Sequence, residues 1–161
     1  MSQLSKFLIF NINNEEYGIP ISQINGVIRY VPITPIHESS KFLKGVINLR
    51  GKIIPIIDMR AKFSIREKEY TDRTVFIIVD IRNDKGTFNI GIAVDGVQDV
   101  VDISSDDLET APKIGLRLKS QYLSGIAKIG ERMIMILNMD KILTSDEVVD
   151  MNQLSKEEVM A

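Results

Sequence analysis

The chain has 161 residues, the size of one ordinary domain or two very small ones. Its 44% apolar and 26% charged residues suit a folded core, and a net charge of −2 lacks the basic excess of a nucleic-acid binder. The absence of cysteine and the single histidine, His37, exclude disulfides, thiolate metal sites, cysteine nucleophiles and multi-histidine metal centres. No apolar run approaches the roughly 20 residues of a membrane span. Met1–Lys6 has no signal-peptide pattern. A soluble, cytoplasmic protein is expected, with no direct membrane insertion and no nucleic-acid partner. Isoleucine occurs 26 times and valine 12, against 11 leucines and five alanines. That balance suits pleated strands better than helices, so a mostly β protein follows.

In chain order, Lys6–Asn11 reads as a strand, followed by Asn13-Asn14 as a turn and Glu16–Pro20 as a second short strand. Ile21–Tyr30 fits a helical turn leading into a strand. Val31–Ser40 holds Pro32, Pro35 and His37 and reads as a loop, with a possible helical turn before Phe42. Gly45–Leu49 and Lys52–Asp58 flank Arg50-Gly51 as a hairpin. Pro55 inside the second strand suggests an edge or a bulge. Met59–Phe63 fits a helical turn, and Ile65–Arg73 is a polar loop. The apolar run Thr74–Ile81 fits a strand buried on both faces, and Thr87–Val94 returns after a turn at Asn83–Gly86. Gly96–Ile103 is another strand, and Ser104–Pro112 a loop. Ser124–Ile129 and Arg132–Asn138 flank Gly130-Glu131 as a further hairpin, with a helical turn at Met139–Leu143. Thr144 with Glu147 has the capping-box form that starts a helix, and the tail from Asn152 is expected to fray.

Two internal echoes organise these elements. Phe42–Phe63 aligns without a gap on Tyr122–Leu143 at an offset of 80, with Gly45 on Gly125 and Met59 on Met139. At an offset of 73, Tyr17-Gly18-Ile19 matches Ile90-Gly91-Ile92, and Ile24 matches Val97. Two related small β units of about five strands each are implied, each able to close into a small barrel. Neither has a large core alone, so the two should pack together.

Chemical motifs are scarce. His37 has no partner in the sequence and reads as a loop residue. Asp95, Asp99, Asp102, Asp106 and Asp107 do not follow the EF-hand spacing. No phosphate-binding glycine loop and no nucleophile elbow is present. Asp58 and Asp80 end apolar strands, but a receiver-type fold needs alternating strands and long helices. No enzyme, metal site or cofactor is expected. What remains is surface. Arg50 stands at a tight turn, either as a solvated turn residue or as an interface arginine offering a planar fork. Ile24, Val27, Val97 and Val100 occupy related places in the two halves. They are either core or, facing outward at the seam, an apolar groove for a partner helix.

The stretch Gly45-Val46-Ile47-Asn48-Leu49-Arg50-Gly51, with Pro55, Asp58, Arg60 and Phe63, resembles the signature of the CheW family of bacterial chemotaxis coupling proteins. Tyr17-Gly18-Ile19, the run from Gly91 to Val97 and Tyr122-Leu123-Ser124-Gly125 resemble further landmarks of that family, in family order from about Lys6 to Leu143. The resemblance implies two SH3-like five-stranded β-barrel subdomains packed on a shared core, with short helical turns and a C-terminal helix. It implies one domain over 1–145, with repeat cores at 15–66 and 88–143, and a C-terminal helix and frayed tail over 146–161. The same domain type also occurs in the kinase CheA and in CheV; a length of 161 residues suits the stand-alone form.

The implied function is a non-catalytic adaptor. It would link the cytoplasmic tips of chemoreceptors (methyl-accepting chemotaxis proteins) to the regulatory domain of the histidine kinase CheA, within membrane-attached arrays. A generic β-barrel regulatory module not tied to chemotaxis is the alternative. The implied receptor-binding positions are Ile24, Val27, Arg50, Val97 and Val100, and Lys113 with Ile114 are the implied kinase-binding pair. Some relatives carry an acid at the position of Gly26 that can pair with the signature arginine. Here that acid is absent, so Arg50 is either held by another acid or free to pair with a receptor carboxylate.

Overall fold

The computed structural model describes residues 4–36, 41–83, 86–109 and 122–143. His37, Lys113, Ile114, the expected helix beginning near Thr144 and the tail over 146–161 lie outside the described residues. The strands are β1 (Leu4–Ile12), β2 (Glu15–Pro20), β3 (Ile24–Arg29), β4 (Leu43–Leu49), β5 (Lys52–Asp58), β6 (Val75–Asn83), β7 (Gly86–Val94), β8 (Gly96–Ser104), β9 (Leu108–Glu109), β10 (Leu123–Ile129) and β11 (Arg132–Leu137). A four-residue helix, α1 (Met59–Lys62), follows β5, and 3-10 turns occur at Ile21–Gln23, Ser105–Asp107 and Met139–Lys141.

The strands form two sheets. One runs β8-β1-β2-β11-β10-β9 and the other β3-β6-β7-β5-β4. Hairpin β1–β2 therefore sits with β8 to β11, and hairpin β6–β7 sits with β3 to β5. The strand orders correspond element by element: β1, β2, β3, β4 and β5 occupy the places of β6, β7, β8, β10 and β11.

The two sequence echoes meet in this arrangement. The offset of 80 joins Ile56 to Ile136, and the offset of 73 joins Gly18 to Gly91. In the parallel ladders, Ile136 pairs with Gly18 and Ile56 pairs with Gly91. A methyl added at Gly18 would lie 2.9 Å from the Ile136 Cδ1, and one at Gly91 would lie 2.6 Å from the Ile56 Cδ1. Both glycines are there because an isoleucine tip occupies the space of a Cβ. The outer contacts repeat as well. Thr34 bridges Val46 on β4, and Glu109 of β9 pairs with Ile126 on β10. The Asp58 amide donates to the Phe42 carbonyl at 2.7 Å, and the Asn138 amide to the Tyr122 carbonyl at 2.8 Å.

Strand alternation divides the apolar residues among three clusters. In β6, Phe76 and Ile78 enter one cluster, while Ile77, Val79 and Ile81 enter another. In β1, Phe7 and Ile9 part from Leu8 and Phe10 in the same way. Two clusters belong to single sheets. Ile28 of β3 and Leu49 of β4, from opposite edges of the five-stranded sheet, pack on one cluster, so that sheet curls around its own core. Val101 of β8 and Leu108 of β9 do the same for the six-stranded sheet. No ladder among the described residues closes either sheet into a complete barrel. The third and largest cluster takes residues from both sheets and is the shared core.

Pro55 departs from expectation. Its strand lies between β7 and β4, not at an edge, and the nearby register shift falls in β4 between Leu43 and Gly45. Two features of the ladder make the missing N–H harmless. Val46, opposite Pro55, uses both its N–H and its C=O on Thr34, so the pair is not hydrogen-bonded. On the other side, the parallel ladder to β7 begins only at Ile56.

Candidate partner-binding surface

Two β-bulges aim the apolar residues of β3 and β8. Ile24 pairs with Val79 and Val27 with Ile77, with the register shifting at Asn25. Val97 pairs with Phe10 and Val100 with Leu8, with the register shifting at Gln98. Residues three apart in a regular strand point to opposite faces. The extra residue in each strand changes the phase, so Ile24 and Val27 share a face, as do Val97 and Val100. Their four cross-strand partners, Val79, Ile77, Phe10 and Leu8, all belong to the shared core. Ile24 and Val97 are half-buried against that core. Val27 and Val100 are 45% and 51% exposed. The bulges therefore place one apolar pair on each sheet where the core between the sheets reaches solvent.

Arg50 stands apart from these four at the tip of the β4–β5 hairpin. Leu49 pairs with Lys52, leaving Arg50-Gly51 as a two-residue turn with φ of 53° and 84°. Positive φ at both positions defines the type I′ turn, which favours Asn-Gly because glycine adopts left-handed backbone freely and asparagine tolerates it better than other side chains. The β1–β2 turn meets the same demand with Asn13 and Asn14, at φ of 54° and 65°. In the hairpin related to that of Arg50, the left-handed residue is Gly130, at φ 59°. Arg50 is thus an exposed arginine in a conformation that a Cβ disfavours. It makes no hydrogen bond or ion pair among the described residues. The Gly51 amide donates to the Asn48 Oδ1 at 3.0 Å and holds the turn. A Cβ at Gly26 would meet nothing within 4 Å, so a side chain there has room.

The ionisable groups nearby are structural. Asp58, 2% exposed, caps α1 by accepting from the Arg60 and Ala61 amides at 2.8 and 3.3 Å, and accepts from the Tyr70 hydroxyl at 2.8 Å. Burial pushes the Tyr70 phenol up, and the Asp58 charge and hydrogen bond add to it. Arg60 grips Asp95 with a fork, Nε to Oδ1 at 3.2 Å and Nη2 to Oδ2 at 2.6 Å, and the Asn13 amide donates to Oδ2 at 2.8 Å. Burial alone would raise the Asp95 carboxyl, but the hydrogen bonds from Arg60 and Asn13, with the Arg60 charge, hold it below its ordinary value. Asp95 lies where the backbone leaves β7 for β8 and so changes sheet, and Arg60 anchors that crossover to α1. At the related crossover from β2 to β3 the polarity is reversed: Asp140 accepts from the Gln23 Nε2 at 3.1 Å and from the Arg82 amide at 3.2 Å. In the six-stranded sheet, Arg132 of β11 bridges Glu16 of β2 and Asp99 of β8 at 2.9 and 3.2 Å.

A polar cavity of about 230 Å³ lies beside Asp58, Arg60, Tyr70 and Asp95, but these groups are committed to one another. A wider depression of about 690 Å³ has Ile126, Met133 and Met135 with Glu15 and Glu131 around it. Sequence reasoning did not find it, because its parts come from several strands and no local spacing joins them. Among the described residues, no group of three or more His, Asp or Glu residues can hold a metal ion. No helix among them is long and apolar enough to cross a membrane. The arrangement offers surfaces and fixed crossovers, with no nucleophile–base pair among the described residues.

Comparison with known proteins accords with this geometry. The family model of the CheW-like domain matches residues 6–147. The protein is 38% identical over 151 residues to a chemotaxis protein CheW of Klebsiella aerogenes, an alignment spanning 94% of its own length and 89% of that relative. It is 32% identical over 139 residues to a chemotaxis protein CheW of Thermotoga maritima, spanning 84% and 85%. The crystal structure of the scaffolding protein TtCheW from Thermoanaerobacter tengcongensis superposes with a TM-score of 0.80 at 32% identity, spanning 90% of this protein and 91% of that one.

Proposed function

We propose, from the premise that this protein belongs to the CheW family of chemotaxis coupling proteins, that it is a non-catalytic adaptor joining chemoreceptor cytoplasmic tips to the regulatory domain of the histidine kinase CheA. The adaptor works from the cytoplasm and is recruited to membrane-attached receptor arrays. One observation carries the reading: symmetry-related bulges at Asn25 and Gln98 turn Ile24, Val27, Val97 and Val100 toward the seam of the shared core. An apolar seam supported by a rigid core suits the side of a helix, which offers apolar residues at i, i+3 and i+4. Arg50, exposed and without an ion pair among the described residues, supplies a directed fork for a receptor carboxylate or carbonyl. The kinase is met elsewhere, with Lys113 and Ile114 as one contact. Residues 1–145 act as one unit in this scheme.

The test is a titration of labelled protein with a receptor-tip fragment and, separately, with the CheA regulatory domain, followed by NMR shifts. Two distinct shifted surfaces are expected, with the residues of β3, β8 and the Arg50 turn answering the receptor fragment. Shifts from both partners on one surface, or binding to neither, refute the adaptor reading.

A further inference from the structure

The two bulges are alike in geometry and unlike in chemistry. Gln98 is followed by Asp99, but Asn25 is followed by Gly26, the only Asn-Gly pair in the sequence. We propose that Asn25-Gly26 is a spontaneous deamidation site, by which the bulge that orients Ile24 and Val27 is converted irreversibly to a charged form.

The step needs only water. The Gly26 amide nitrogen attacks Cγ of the Asn25 carboxamide and a new C–N bond forms. The bond from Cγ to Nδ2 breaks, and ammonia leaves with the proton given up by the Gly26 nitrogen. The resulting succinimide is opened by water at either carbonyl, giving aspartate or isoaspartate. The net reaction exchanges an amide for an acid. Glycine permits the attack because no Cβ shields its nitrogen and its backbone torsions are the least restricted.

Four observations favour reaction in the folded protein. Asn25 is exposed. It is the bulged residue of β3, without a cross-strand partner in the ladder. Nothing lies within 4 Å of the place a Gly26 Cβ would take, so no other part of the protein crowds that side of the glycine. Among the described residues the carboxamide is held by one long bond, Nδ2 to the Asp80 Oδ1 at 3.4 Å, and that oxygen also accepts from the Asn89 Nδ2.

Asp95-Gly96 provides an internal comparison, since aspartate before glycine reaches the same succinimide. There the carboxylate is fixed by the Arg60 fork at 2.6 and 3.2 Å and by the Asn13 amide at 2.8 Å. The structure restrains one Xaa-Gly site and leaves the other loosely held.

Conversion changes the strand in two ways. Aspartate at position 25 places a second carboxylate opposite Asp80 where an amide had donated. Isoaspartate adds a methylene to the backbone and disturbs the phase that the bulge sets for Val27. The chemistry is independent of the proposed partners; only its effect on docking rests on them.

The full-length protein is incubated folded at mildly alkaline pH and physiological temperature, and peptides are followed by mass spectrometry that separates aspartate from isoaspartate. Asn25 is expected to convert severalfold faster than every other asparagine whose peptide is recovered, with no isoaspartate at position 95. Gly26→Ala, which the open space accommodates, is expected to slow conversion severalfold with unchanged thermal stability. Conversion of Asn25 no faster than that of asparagines not followed by glycine overturns the proposal. An undiminished rate in Gly26→Ala overturns it too.

Discussion

Replacing Arg50 separates its cost to the fold from its use. At φ 53° the residue occupies the left-handed region, which costs an L residue about 1–2 kcal/mol relative to right-handed backbone. Asparagine tolerates that region well, as the Asn13-Asn14 turn shows at φ of 54° and 65°. Arg50→Asn creates the Asn-Gly turn that two-residue hairpins prefer and removes no hydrogen bond or ion pair made among the described residues. The expected gain is about 1 kcal/mol, a rise in Tm of about 3 °C for a protein of this size. Arg50→Gly relieves the same strain but increases the freedom of the unfolded state at a cost of about 0.5–1 kcal/mol, so its gain is smaller. Arg50→Ala keeps the unfavourable φ and changes stability little. Receptor-tip affinity should fall in all three variants, by about 1–3 kcal/mol for a directed interface arginine. Urea unfolding measures the first quantity and titration with a receptor-tip fragment the second. Loss of stability in Arg50→Asn refutes the strain reasoning, and full affinity in all three variants refutes the role of the guanidinium.

Four further outcomes follow from the geometry. The Asp95 carboxyl is held below its ordinary value, so its contribution to stability is complete above the unfolded value of about 4 and is lost as pH falls through the lower folded value. Asp95→Asn should therefore be less stable than the parent at neutral pH, the two converging in acid; a gap independent of pH across an acid series of urea titrations would count against the ion pair. Gly91→Ala places a methyl 2.6 Å from the Ile56 Cδ1 and should cost about 1–3 kcal/mol. Ile56→Val removes that atom, so a double-mutant cycle should show coupling, and additive costs would contradict the close approach. Val27→Asp and Val100→Asp, at exposed positions, should leave the unfolding free energy within about 0.5 kcal/mol of the parent while weakening receptor-tip binding; unchanged binding in both removes the seam from the interface. Tyr70→Phe deprives the buried Asp58 carboxylate of one donor at 2.8 Å and should cost about 1–3 kcal/mol in urea unfolding, with no cost if water replaces the hydroxyl.

The hairpins were legible because they are written locally. Arg50-Gly51 and Gly130-Glu131 sit between β-rich runs, and Asn13-Asn14 carries its own turn chemistry. The short helical turns after β5 and β11 and before β3 were legible for the same reason. Pro55 was misread as an edge or bulge signal, because whether a strand needs a given N–H depends on which groups the neighbouring strands already use. Ile24 and Val27 were legible with Val97 and Val100 as related positions of the two halves, facing either the core or the seam. Their common face depends on a bulge at Asn25 that no composition rule announces. Arg60 and Asp95 both belong to the family landmarks, but 35 residues separate them and nothing local joins them. Asp58, read as an acid ending a strand, is a buried helix cap.

The duplication explains why the fold can be nearly symmetric while its surfaces are not. Positions that define the curl of each sheet repeat faithfully: Gly18 with Gly91, Ile136 with Ile56, and the amide bonds of Asp58 and Asn138. Each is fixed by contact with its own sheet, so substitution in either half carries a packing cost. Positions that differ between the halves are those where packing imposes little. Arg50 replaces a left-handed glycine at a hairpin tip, and an asparagine before glycine replaces the glutamine of the other bulge. The crossover clamp reverses its charge between Arg60 and Asp140. A symmetric frame gives two similar edges, and an adaptor with different partners must make those edges unlike. The least costly places to do so are turns and bulges, where a changed residue alters what is presented and leaves the core between the sheets intact. Arg50 goes further, because strain at φ 53° works against the fold. On the proposed function, an arginine at a position that strains the fold is accounted for by what its guanidinium meets outside the molecule.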